Sequence, residues 1–136
     1  MAGIWRVNGL SVCYAVFFFL QSELMVNIYR IERITGWPNV NGWAGIFSLL
    51  LFLGSTLLGF FLSKRLKGAG KIIYFASILW LPYYLVFIRL FAHLAPITDP
   101  QEMPLPGVGL VLIGLALVMP FYIALIQFLA SIRINA

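Results

Sequence analysis

Four long apolar segments, at about residues 10–30, 43–63, 72–93 and 107–130, constrain this chain more than any other feature. Crossing the hydrocarbon core takes roughly 20 helical residues, and each segment is long enough. Four spans consume roughly 80 residues, which leaves short termini and three connections but no room for an appended soluble domain. Composition agrees. The chain is 62% hydrophobic and 10% charged, whereas a soluble domain carries roughly a quarter charged residues. Too few polar groups exist to cover a water-facing surface. Residues 1–136 are therefore expected to form a single membrane domain: an all-α integral membrane protein, built as a four-transmembrane-helix bundle.

The connections differ in character. Gly36-Trp37-Pro38 should stop the first helical stretch, and Asn41-Gly42 is expected to cap the second helix. A short basic loop from Lys64 to Lys71, with Gly68 and Gly70, should join helices two and three as a tight antiparallel hairpin. Pro96, Pro100, Pro104 and Pro106 favour a stiff, extended connection before helix four. Arg6 followed by an apolar run imitates a signal peptide. Gln21-Ser22-Glu23 offers no small-residue cleavage site, so the segment is expected to stay as helix one.

Charge sets an expected orientation. Arg6, Lys64, Arg65, Lys67, Lys71 and Arg133 fall on one side, against Arg30, Arg33 and Arg89 on the other. The excess of Lys and Arg marks the cytoplasmic side, so both termini should be cytoplasmic and the Pro-rich loop extracytoplasmic, in a membrane of the bacterial inner (plasma) type. The net charge of +5 is assigned to this asymmetry, not to nucleic acid. The lone Cys13 excludes an internal disulfide and is expected to be a small buried hydrophobe.

Three groups of residues stand out. Glu23 in helix one costs several kcal/mol at membrane depth unless paired or wetted. Asn27 and Arg30 extend it into a polar stripe. Counting helical rise places Arg89, with His93 one turn on, in the same half of the bilayer. Glu23 and Arg89 are expected to pair, directly or through Asn27 or a tyrosine. Arg30, Arg33 and Arg89 are also expected to meet Asp99 and Glu102, tying down the Pro-rich loop. A second group lies near the midplane. Pro82 and Pro120 each free a backbone carbonyl, and Trp80, Tyr83 and Tyr84 cluster beside Pro82; simple kinks filled by these aromatics are the first expectation there, and a midplane pocket lined by them is the second. Third, Ser55, Gly59 and Ser63 recur every four residues on helix two. That spacing lets helix backbones approach closely, first of all within the bundle.

No catalytic or metal-binding motif is present, and the sequence names no cofactor. The four-span plan with an acidic first helix is shared with small multidrug exporters, but Phe19 to Met25 does not follow their first-helix pattern. The leading expectation is a non-enzymatic role by association, as an accessory or regulatory subunit partnered by another protein or by its own copies. Two alternatives stand beside it. One is a small transporter or channel using Glu23 and Arg89; the other is a lipid- or quinone-binding protein with a midplane aromatic pocket.

Overall fold

The computed structural model describes residues 2–132, so Arg133, counted above for orientation, lies outside the described residues. Five α-helices occur among them: α1 (Ala2–Val26), α2 (Ile28–Thr35), α3 (Val40–Arg65), α4 (Ala76–Leu94) and α5 (Pro106–Ser131). A 3₁₀ stretch, Lys67–Phe75, connects α3 to α4, and no strand is present among the described residues. Four helical stretches are long and apolar enough to cross a membrane: Gly3–Val26, Val40–Arg65, Gly68–Leu94 and Pro106–Ser131.

The first span departs from the expected bounds at both ends. It begins at Ala2 and gives way at Asn27, whose backbone leaves the helical region at φ −99°, ψ 16°. The Asn27 side-chain amide donates to the Glu23 carbonyl at 3.0 Å and to Glu23 Oε2 at 2.7 Å. The backbone ladder persists across this point, Asn27 N–H donating to the Glu23 carbonyl and Ile31 N–H to the Asn27 carbonyl, each at 2.9 Å, so the departure is confined to the Asn27 backbone angles. Polar α2 follows, carrying Arg30, Glu32 and Arg33. It ends as expected at Gly36, which takes the left-handed conformation (φ 61°) while its N–H donates to the Glu32 carbonyl. The cap of α3 is Asn39 instead of Asn41; its side chain accepts from the Gly42 N–H.

The basic connection is less simple than a tight hairpin loop. Its 3₁₀ stretch kinks at Gly70 (φ 59°, ψ −141°), a conformation that glycine adopts at little cost. Between α4 and α5 the prolines give extended backbone, interrupted by one 3₁₀ turn at Pro100–Glu102. The Asp99 carboxylate caps that turn by accepting from the Gln101 N–H at 2.9 Å.

Around the bundle, α1 neighbours α4 and α3, and α5 closes the ring against α3 and α4. The core belongs chiefly to α1 and α4. Val7, Leu10, Tyr14, Ala15 and Phe18 meet Ala76, Trp80 and Tyr84, with Ile123 and Ile126 from α5. Phe18 stands edge-on to Trp80, with centroids 5.3 Å apart. The buried residues of α3 are mostly small or polar: Ser55, Gly59 and Ser63, with Val40 at its start. The Leu and Phe residues of α3 and α5 point mostly outward. Such a surface is far too apolar for water and is what a bilayer solvates.

Candidate functional site

Up-and-down helices divide the charges between two ends. At one end α2 and the Pro-rich connection meet. Arg30 Nε donates to Glu102 Oε2 at 3.1 Å, and Arg33 bonds the other carboxylate oxygen, Oε1. Arg33 also approaches Asp99 at 3.5 Å. The remaining Arg30 donors reach the carbonyls of Ala95 at 3.1 Å and Pro96 at 2.8 Å. Glu102 is buried, 4% exposed, so these charge-assisted bonds replace its lost hydration. The expectation that Arg30 and Arg33 tie down the Pro-rich loop is observed; Arg89 takes no part.

Glu23 and Arg89 do not pair, which corrects the expectation drawn from depth alone. Because α1 starts at Ala2, Glu23 sits about 13 Å from the centre of that helix, near its end. There it is half-buried and held by Asn27. Arg89 and His93 lie on an exposed face of α4. Depth alone did not report that rotation about the helix axis. The polar stripe therefore splits. Glu23 and Asn27 form one unit, Arg30 belongs to the loop clamp, and Arg89 and His93 join neither.

The aromatic group behaves as core. Trp80 and Tyr84 are buried; the indole N–H donates to the Ser77 carbonyl at 3.0 Å, and the Tyr84 hydroxyl bonds Ser22 Oγ at 2.8 Å. Tyr83 donates to Asn8 Oδ1 at 3.3 Å. Pro82 is exposed and Pro120 half-buried, each within a continuous helix. Phe18 fills the space beside Trp80 and Tyr84.

A cavity lies elsewhere. About 220 Å³ of space opens between α1, α3 and α5. Phe17, Phe52, Leu115 and Met119 supply apolar walls, while Tyr14, Gln21, Ser48, Ser55 and Tyr122 supply polar points. These points are mostly paired across helices. The Gln21 amide donates to Ser48 Oγ at 2.8 Å, and the Tyr122 hydroxyl bonds Ser55 at 3.0 Å and Thr56 at 2.6 Å. Tyr14 stands edge-on to Tyr122, and its hydroxyl lies against Gly59. A Cβ at residue 59 would fall 2.8 Å from Tyr14 Cζ, so only glycine admits this ring. The small-residue spacing of α3 thus serves packing inside the bundle, with Tyr14 as the knob.

Several buried polar atoms lack hydrogen-bond partners among the described residues: Tyr14 Oη, Ser63 Oγ, Asn27 Oδ1 and both amide atoms of Gln127. Each such atom costs about 1–3 kcal/mol when nothing compensates. Sequence reasoning passed over Gln127, Tyr14 and Tyr122. Gln127 alone carried a usable signal, as a lone amide in an otherwise apolar final helix. Among the described residues no three His, Cys, Asp or Glu side chains gather to hold a metal ion. No protein family, curated protein or solved structure matches the chain.

Proposed function

We propose that this chain is an integral membrane protein that holds a slender lipid-like chain inside its helical bundle. The four long apolar helices would span the bilayer of a bacterial inner membrane. Arg6, Lys64, Arg65 and Lys71 would mark the cytoplasmic side, together with both termini. The observation that carries the reading is the cavity between α1, α3 and α5. Its walls are apolar, and its polar points lie where an amphiphile's ester or hydroxyl could exchange bonds with Gln21–Ser48 or Ser55–Tyr122. At about 220 Å³ it falls below the roughly 300–1,000 Å³ of drug-sized sites, which favours an acyl or isoprenoid chain over a broad ring system. The test is native mass spectrometry of protein extracted in mild detergent. A lipid-like mass should be retained, and Met119→Trp, which fills the cavity, should release it. Wild-type protein that carries no added mass, even after incubation with lipid, would sink the idea.

A second reading, association as an accessory or regulatory subunit or with further copies of itself, draws on α5. Gly107, Val111, Gly114 and Val118 share one outward face, and nothing stands within 4 Å of where a Cβ on either glycine would lie. Small residues on such a face let another membrane helix approach closely. Gentle extraction should then yield a stoichiometric partner or a homo-oligomer. Recovery of only a 15.3 kDa monomer would count against it.

A further inference from the structure

The basic end of the bundle contains a second cavity, of about 340 Å³, that shares no lining residue with the first. It lies between the last turns of α3 and α5 and the 3₁₀ connector. Ser63, Gln127, Lys71 and Ser131 contribute its polar wall. Gln127 is 1% exposed and Ser63 2%, and neither the Gln127 amide nor the Ser63 hydroxyl has a partner among the described residues. Fully buried amides are seldom left this way, because they lose their hydration with nothing in return. Lys71, exposed at the rim, enters no ion pair among the described residues. The chain's four acidic side chains, Glu23, Glu32, Asp99 and Glu102, all belong to the opposite end.

These facts select an occupant by chemistry. An apolar guest would leave Gln127 and Ser63 as they are. A cation would meet Lys71 and no carboxylate. A phosphate ester satisfies every group at once: its oxygens accept from Gln127 Nε2, the Ser63 hydroxyl and the Lys71 ammonium. A hydroxyl on the ester can donate to Gln127 Oε1. Basic pockets between membrane helices take lipid headgroups on the same principle.

We propose that this cavity binds a hydroxyl-bearing phosphate ester, with Gln127 and Ser63 holding the ester and Lys71 supplying the counter-charge. Two sources carry that chemistry, an anionic lipid headgroup and a free phosphate ester. The full chain in phosphatidylcholine nanodiscs, with or without phosphatidylglycerol, separates them when free glycerol phosphate is the soluble competitor. Native mass spectrometry should show phosphatidylglycerol retained about tenfold over phosphatidylcholine, or glycerol phosphate bound in its place. Displacement of the lipid by free glycerol phosphate identifies the soluble ester as the ligand, and resistance identifies the headgroup. Gln127→Leu and Lys71→Glu should each weaken retention about tenfold, and Lys71 is exposed, so its variant should fold. Lys64→Glu is the control, since Lys64 lies over the Phe60 ring outside the cavity. The inference is overturned if both lipids are held equally and glycerol phosphate does not bind. It is equally overturned if Lys64→Glu weakens retention as much as Lys71→Glu, because the attraction would then be a general surface effect.

Discussion

The two ends of the bundle handle their polar groups in opposite ways. At the acidic end the groups of the clamp all meet partners in the chain: Glu102 bonds Arg30 and Arg33, Asp99 approaches Arg33, and Arg30 closes on two loop carbonyls. At the basic end Lys71 has no carboxylate, and Gln127 and Ser63 are buried without bonds. The first arrangement is a clamp that fixes the Pro-rich connection. The second is incomplete in the chain alone. Polar residues of one bundle thus fix a connection at one end and stay unpaired at the other, where the proposed phosphate ester would bind.

The largest effect should come from breaking the clamp. Glu102→Ala leaves Arg30 and Arg33 uncompensated at a largely buried site and is expected to cost roughly 2–4 kcal/mol. That figure lies partly below the range for fully buried pairs because Arg33 is exposed. Denaturant titration in detergent, followed by circular dichroism, measures it; a change under about 0.5 kcal/mol would show that the clamp is ornamental. Next comes the interior between the ends. Gly59→Ala should cost about 1–3 kcal/mol by colliding with Tyr14. Adding Tyr14→Phe removes the nearest atom and should recover part of that loss. Additive effects in the double-mutant cycle would mean that the two residues do not meet as described.

Gln127→Leu sharpens the contrast between the ends, because its sign should be reversed. In ligand-free detergent it removes two orphaned polar atoms and should stabilise the chain by about 1–2 kcal/mol. Destabilisation of similar size would show that Gln127 already has a partner. The smallest effect is expected at Arg89. Its exposed guanidinium makes no ion pair, so Arg89→Gln should change stability by no more than about 0.5 kcal/mol. A loss comparable to that of Glu102→Ala would restore the Glu23–Arg89 pairing to consideration.

Much of this was legible before any coordinates. Hydropathy located all four long helices, because apolar runs of about 20 residues are long enough for a helix to cross a bilayer. Gly36 ended α2 as its left-handed preference demands. Arg30 and Arg33 met Asp99 and Glu102 because the shared connection leaves few other partners. The Glu23–Arg89 pair failed for two physical reasons. Moving the start of α1 to Ala2 changed the depth of Glu23, and helical rise says nothing about which way a side chain faces. The aromatic group near Pro82 packs as filling, the first of its two expected readings: Trp80 and Tyr84 pack against each other, and Phe18 from α1 covers both where a pocket would have opened.

Sequence alone therefore determined what is local and one-dimensional: four long apolar helices, the stop at Gly36, and the division of charge between two ends. Those follow from transfer energies and backbone preferences summed along the chain. Tertiary structure alone decided which helix faces meet. It set Tyr14 over Gly59, opened one cavity beside Tyr122 and another beside Gln127, and turned Arg89 outward. Cavities and unpaired atoms arise where side chains from separate helices fail to fill shared space. No single segment carries that information.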